Sequence, residues 1–478
     1  MDEQSPLYWR IRDLTEAYAR GTLSPVDVTE SLIERIDGLD GRLHAYVTVT
    51  PELARQQAAE AAERYRNGER GPLLGVPVSI KDAFDLADYE TTFGSLTCRG
   101  RVVRSDSGVV ARLRKAGAVM PGKTNVPEFC HSATNENRLG PDTGNPWDPS
   151  RTPGGSSGGA AASVGAGLAT IALGSDGGGS IRIPASFCGL VGFKPTTGIC
   201  PDERGFRAMT DFVTAGPLAW TVEDARLMVE VLAEREFERN TPPRLRVGFC
   251  PSPGGRPVEP EVRTTLEWVA RTFSDLGHDV TECEVPIDGW NDIFGPLVLD
   301  DELRERQHLL ENPDLLTRYM LATLRAAKKL KSADVARARE ELDRFRQRMD
   351  QFLHRYDVLL TPTVATVAFP HGQRPRTIDG VDVDWLWGAF PFTSPFNVAG
   401  TPAITLPAGM SDGLPVGAQL VARRGRDALL LNVAEQLEGA LGFDHQPVRE
   451  RWTTEPLAGT APPSPARRRN RHPLRRAR

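Results

Sequence analysis

Between Gly154 and Ser180 the chain carries two serines, each framed by glycines, on either side of a run of small residues. The first frame is Gly154-Gly155-Ser156-Ser157-Gly158-Gly159, and the second is Asp176-Gly177-Gly178-Gly179-Ser180-Ile181-Arg182. No other stretch restricts the fold so strongly, because glycine admits backbone conformations and close approaches that a side chain forbids. The intervening run, Ala160 to Leu173, is predicted to be a small-residue helix that packs tightly and holds the two serines near one another. The three glycines before Ser180 let backbone N–H groups converge on one point, as a negatively charged oxygen requires. Gly177, Gly178, Gly179 and Ser180 are the expected donors. The doubled glycines around Ser156 and Ser157 also permit a non-proline cis peptide.

A lysine precedes both frames. Lys81 directly follows the apolar run Val76 to Ile80, which predicts a buried position at the end of a strand. Burial disfavours the charged ammonium, and a lysine acts as a base only when neutral. Neither glycine segment has the Gly-x-x-x-x-Gly-Lys-Ser/Thr order of a phosphate-binding loop, nor a dinucleotide-binding Gly-x-Gly-x-x-Gly with an acid about twenty residues on. A Gly-x-Ser-x-Gly elbow is absent too.

The remaining composition narrows the class. No apolar run approaches the length of a membrane helix, and Met1 to Pro6 has neither a basic start nor an apolar core, so the expected location is the cytoplasm. Cysteines 98, 130, 188, 200, 250 and 283 form no Cys-x-x-Cys pair and the histidines are dispersed, so neither disulfides, metal nor cofactor is expected. Ser464 to Arg478 holds seven arginines and no acid, and the rest of the chain is correspondingly more acidic than the net charge of −5. Following Pro462, Pro463 and Pro465 and lacking aromatic residues, the stretch 456–478 reads as a disordered Pro/Arg-rich tail rather than a nucleic-acid contact.

Residues 1–70 read as a helical cover. Ser24-Pro25-Val26-Asp27 supplies a cap, a first-turn proline and a capping-box acid ahead of Val28, Leu32, Ile33 and Ile36. From Gly75 short apolar runs, Val76 to Ile80 and Ala118 to Met120, alternate with helical stretches such as Gly108 to Lys115, as in an α/β layer. A βαβ-like stretch follows at Leu245 to Cys283, then a charged helix from Ala333 to Phe352, the strand Val358 to Leu360, and strand-like segments from Pro402 to Val421. The economical division is one catalytic domain over 71–455.

The linked motifs resemble the amidase signature family of serine hydrolases over roughly residues 70 to 455. They are Gly75-Val76-Pro77-Val78-Ser79-Ile80-Lys81-Asp82, Gly122-Lys123-Thr124-Asn125-Val126-Pro127-Glu128-Phe129, Asn145-Pro146-Trp147-Asp148 running into Gly154 to Gly159, and Gly174-Ser175-Asp176 through Arg182. Gly192-Phe193-Lys194-Pro195-Thr196, Gly216-Pro217-Leu218-Ala219 and Asn397-Val398-Ala399-Gly400-Thr401-Pro402 complete the set. The resemblance implies an α/β fold with a large mixed sheet of about eleven strands flanked by helices. It implies Ser180 as acyl nucleophile, Ser156 as the cis-serine relaying its proton, and Lys81 as base, with Asp176 and Arg182 supporting the nucleophile loop and Ser157 assisting by hydrogen bonding. Gly177 departs from the Thr, Ile or Ser of many members, which is expected to loosen the loop while leaving its N–H in place.

By the same pattern the segment with Cys130 and His131 borders the acyl pocket, and His131 is expected in a pocket-lining or core role rather than as acid or base. Trp385 to Phe392 is aromatic-rich and is read either as substrate entrance or as ordinary core. The glutaminase subunit of a tRNA-dependent amidotransferase carries an acid seven residues before the asparagine matching Asn397, where this chain has Phe390, and the segment from Thr197 to Ala215 differs from that subunit too. The expected activity is a stand-alone amidase on an apolar or aromatic amide. A non-catalytic or partner-dependent subunit is the reading of another class. The expected partner is the small-molecule amide, with no membrane and no nucleic acid, and a homodimer is an allowed assembly.

Overall fold

Aliphatic and β-branched runs form thirteen strands among the described residues, 5–202 and 205–454 of a computed structural model. They are β1 (Tyr46–Val49), β2 (Val78–Lys81), β3 (Gly122–Thr124), β4 (Ile171–Asp176), β5 (Val191–Lys194), β6 (Thr214–Ala219), β7 (Arg246–Phe249), β8 (Asp279–Glu282), β9 (Val358–Pro362), the short β10 (Thr377–Ile378) and β11 (Val381–Asp382), β12 (Ala403–Ser411) and β13 (Leu414–Val421). Eleven build one sheet in the order β1-β3-β2-β4-β6-β5-β12-β13-β9-β7-β8, and β10 and β11 pair separately. The sheet is mixed: β2 runs parallel to β3 and β4, β7 runs parallel to β8 and β9, and the strands between are antiparallel.

Both faces are covered by helices, which is why the central strands are buried along their whole length. One apolar cluster joins the sheet to Val222–Ala233, Pro260–Asp275 and Asp427–Leu441. Another joins it to Pro25–Leu43, Gly158–Gly165 and the buried Val448 and Trp452. A third gathers Trp290–Arg306 and Ser332–Leu353 around Ser394–Ala399.

Ser24 caps the Pro25–Leu43 helix as expected, its hydroxyl accepting from Val26 N at 3.1 Å. The helical reading of residues 1–70 lacks one element: Tyr46-Val47-Thr48-Val49, a β-branched alternation between two helices, pairs with β3 and forms a sheet edge. The helix predicted over Ala160 to Leu173 ends at Gly165. Gly167 turns the chain at φ +65°, and Ile171, Ala172 and Leu173 enter β4, where they pair with β2 on one side and β6 on the other. Ala118 to Met120 makes only a bridge from Val119 to Pro77, and the regular strand starts at Gly122. The tail read over 456–478 lies outside the described residues.

This topology positions chemistry directly. Because β2 and β4 are parallel neighbours with Ile80 opposite Leu173, their carboxyl ends emerge together, which puts Lys81 beside Ser175 and Asp176. Clefts beyond the carboxyl ends of parallel strands are where open α/β sheets bind ligands.

Candidate active site

Lys81 is fully buried. Its Nζ lies 2.7 Å from Ser156 Oγ, 2.9 Å from Ser175 Oγ and 3.3 Å from the Ser175 carbonyl. Among the described residues no carboxylate forms an ion pair with it. Burial pushes its pKa below the ordinary lysine value, against the opposing influence of Cys130 and Asp176. A neutral amine has two N–H donors and one lone pair. The two Ser175 oxygens can take the donors, which leaves the lone pair to accept the Ser156 hydroxyl proton.

The Gly155–Ser156 peptide is cis. Ser157, next in the chain, clamps backbone: its N–H donates to Ser180 O at 3.2 Å, and its hydroxyl donates to Ser175 O at 3.2 Å and accepts from Ser175 N at 3.3 Å. The Ser180 hydroxyl has no hydrogen-bond partner among the described residues, and Ser180 opens on a cavity.

Asp176 organises the nucleophile turn. Its carboxylate accepts from Gly179 N at 2.8 Å, from Ile181 N at 3.2 Å and from both Nε and Nη2 of Arg182 at 2.9 Å. Burial of this carboxylate is outweighed by Arg182, with help from Lys194 and Asn397, so its pKa lies below the usual carboxylate range. Arg182 in turn reaches Thr393 O at 3.0 Å, Gln419 Oε1 at 2.6 Å and Asn397 Oδ1 at 2.6 Å, tying the turn to β13 and to the Ser394–Ala399 helix. Because the Gly179 N–H is taken by Asp176, the expected donor set is reduced. Gly177, Gly178 and Ser180 keep N–H groups with no acceptor among the described residues.

Gly179 adopts φ +128°, and a Cβ there would fall inside Thr393 Oγ1. Gly177 serves packing rather than loop freedom: a Cβ would meet Met209 Sδ at 2.5 Å, and Met209 lines the cavity. Lys123, in the neighbouring motif, is also fully buried but is paired with Asp82 at 2.6 Å, a structural arrangement quite unlike that of Lys81.

The cavity, of about 470 Å³, opens over Gly178, Ser180, Cys130 and His131. Trp290, Phe294, Val298, Leu299, Met209 and Trp387 give it an apolar, largely aromatic wall, and Trp290, Phe294 and Trp387 meet edge-on with centroids 5.2–5.8 Å apart. Arg256 and Asp384 are its charged side chains. The Trp385 to Phe392 run divides between the two readings: Leu386 and Trp387 line the cavity, whereas Phe390 and Phe392 are buried in the core. A larger cavity, about 840 Å³, shares none of these lining residues and lies between Trp9, Trp220 and His445.

Four contributors escaped the sequence reading. Ser175 was visible only as part of a motif, yet both its oxygens hold Lys81. Thr393 and Ser394 each donate a hydroxyl to Gly178 O at 2.8 Å, a contact 215 residues or more along the chain that no local pattern announces. Glu302 pairs with His131 across the cavity wall. Among the described residues no group of three or more His, Cys, Asp or Glu is placed to hold a metal ion, and no helix is long and apolar enough to cross a membrane.

An eleven-stranded mixed sheet that sets a buried lysine against a serine, beneath a glycine-rich turn, defines the class: an enzyme that hydrolyses amide carbon–nitrogen bonds. Comparison with known proteins agrees, since the family profile described as Amidase matches residues 27–431. The chain belongs to the amidase signature family. The acylamidase of Rhodococcus erythropolis is 35% identical to it over 472 residues, covering 92% of this chain and 96% of that one. A glutamyl-tRNA(Gln) amidotransferase subunit from Caldanaerobacter subterraneus is 32% identical over 480 residues, covering 91% and 97%. The crystal structure of a bacterial aryl acylamidase of the family superposes with a TM-score of 0.85 at 26% identity, covering 94% of this chain and 99% of that one.

Proposed function

We propose that the protein is a stand-alone amidase that hydrolyses small amides with an apolar or aromatic acyl group through an acyl-enzyme. The observation that carries this reading is the contact of buried Lys81 Nζ with Ser156 Oγ at 2.7 Å. Ser156 passes its proton to neutral Lys81 and takes the proton of Ser180. Ser180 Oγ attacks the amide carbon, forming a C–O bond while the carbonyl electrons move to oxygen. The N–H groups of Gly177, Gly178 and Ser180 face that oxyanion, where each well-placed donor contributes about 3 kcal/mol. The C–N bond then breaks as the proton returns through Ser156 to the leaving nitrogen. Water, deprotonated by the same relay, releases the carboxylate. The free Ser180 hydroxyl gains its partner when substrate closes the site, as catalytic hydrogen bonds commonly do.

The aromatic wall supports an apolar acyl group. A glutaminase subunit is the rival reading, favoured by the amidotransferase relatives and by Arg256 and Asp384 in the cavity, which could hold a carboxylate and an ammonium. Against it, Phe390 occupies the place where that subunit's acid is expected, and is fully buried among Phe187 and Phe369. The deciding experiment measures ammonia or amine release from aryl amides, aliphatic amides and glutamine in parallel. Turnover of aryl amides by the wild type and not by Ser180→Ala is the expected result. Turnover of glutamine alone would establish the rival, and no turnover of any amide would overturn both.

A further inference from the structure

Beside the aromatic part of the cavity wall, the pair His131 and Glu302 is unused by the mechanism above. His131 lines the cavity and is 7% exposed at its side chain, and its Nε2 lies 2.8 Å from Oε1 of the fully buried Glu302. Glu302 sits on the Trp290–Arg306 helix, the element that also supplies Trp290, Phe294, Val298 and Leu299 to the same cavity. Arg306, one turn on, donates from Nη1 to Glu302 Oε1 at 2.6 Å and from Nη2 to the Arg207 carbonyl. Its guanidinium is stacked 4.9 Å from the Phe129 ring centroid and 4.5 Å from that of Phe206. The carboxylate is therefore fixed in place, and the imidazole is fixed by the carboxylate.

Burying a carboxylate is expensive even when it is paired, and an apolar side chain would line the wall at lower cost. What the arrangement secures is ring orientation. An ionised carboxylate can only accept, so Nε2 carries the proton, and in the neutral ring the lone pair is on Nδ1. His131 Nδ1 has no hydrogen-bond partner among the described residues. Proton transfer at the scissile bond is already supplied by Lys81 and Ser156, so this acceptor is available for a part of the substrate remote from that bond.

We propose that His131, oriented by Glu302, is a specificity-determining residue whose Nδ1 accepts a hydrogen bond from a hydroxyl or N–H on the aromatic portion of the amide substrate. This rests on the amidase reading and narrows its substrate class from apolar aryl amides to aryl amides bearing a ring donor. Glu302 is a positioning residue, acting only through the tautomer and angle of His131. A site built to pair with a substrate donor discriminates strongly against the analogue that lacks it.

The test reads binding separately from turnover. Ser180→Ala protein is titrated calorimetrically with phenylacetamides carrying a ring hydroxyl at the ortho, meta or para position, and with the methoxy isostere of each, which has no donor. For at least one position the hydroxyl compound is expected to bind about tenfold more tightly than its isostere, the value of one hydrogen bond to an oriented acceptor. Adding His131→Phe should reduce that ratio to about one while phenylacetamide itself stays within about threefold. His131→Gln, which retains an acceptor, should recover part of the ratio, and Glu302→Gln should lower it without weakening the methoxy compound. A ratio of one at every ring position in Ser180→Ala, or a ratio that survives His131→Phe, would overturn the proposal. Wild-type turnover of phenylacetamide is measured alongside. Turnover with a ratio of one sinks the role of His131 and leaves the amidase standing, whereas a tenfold ratio without turnover does the reverse.

Discussion

Lys81 and Ser156 are joined at 2.7 Å in a place where, among the described residues, the lysine has no carboxylate partner, and this sets Lys81 apart from Lys123, equally buried but 2.6 Å from Asp82. Burial disfavours the cation in both lysines, which lie on adjacent parallel strands; what differs is the partner, a carboxylate at Lys123 and serine oxygens at Lys81.

Lys81→Met should therefore lower kcat by at least about 10²-fold, the usual cost of losing a general base, with unfolding free energy changed by no more than about 2 kcal/mol. Lys123→Met should instead destabilise the protein by about 3–5 kcal/mol, because Asp82 is left charged, buried and without its cation. Steady-state kinetics on an aryl amide together with urea unfolding separates the two. Equal effects of both substitutions on stability would contradict the assignment.

The pH dependence has a definite sign. Burial lowers the Lys81 pKa, and only the neutral amine accepts a proton, so kcat/KM should fall as pH drops through that lowered value and level off above it. A pH–rate profile from about pH 5 to about pH 10 on a non-ionising amide checks this. A flat acid limb would remove Lys81 from the base role.

Arg182→Met tests the support of the nucleophile turn. Asp176 keeps a depressed pKa through Arg182, so the pair's contribution is complete above the ordinary carboxylate pKa and is lost only as pH falls below it. At neutral pH the substitution should cost about 3–5 kcal/mol in urea unfolding. At about pH 3 the gap between variant and wild type should narrow, and an unchanged gap would show that the ion pair contributes nothing.

The two glycines of the turn should respond differently. Gly179→Ala places a methyl within Thr393 Oγ1 at a left-handed φ, and should abolish turnover. Gly177→Thr meets the flexible end of Met209 and should keep turnover while changing relative kcat/KM among acyl groups of different width. Selectivity profiles over a graded series of aryl amides report the difference.

Much of the site was legible in the sequence because its chemistry is local. Gly154 to Gly159, Asp176 to Arg182 and Val78 to Asp82 each pack their special backbone needs into a few consecutive residues. Several strands beyond the site were legible from short apolar runs, such as Val358 to Leu360 in β9. What escaped is what depends on distant partners. Whether Gly179 offers its N–H or gives it to Asp176 is decided by a turn geometry that three consecutive glycines leave open. Thr393, Ser394 and Glu302 act across 171 to 216 residues of chain. The predicted helix through Leu173 failed because small residues suit a tightly packed helix and a central strand equally, and the neighbours of Ile171 to Leu173 settle the matter.

The most direct measurement is peptide mapping by mass spectrometry after treatment with a fluorophosphonate, in wild type and in Lys81→Met. A single adduct on Ser180 in the wild type, formed at least about 10²-fold more slowly in Lys81→Met, is the expected result. An adduct on another serine, or labelling of Ser180 at equal rates in the two proteins, would contradict the proposed relay from Lys81 through Ser156 to Ser180.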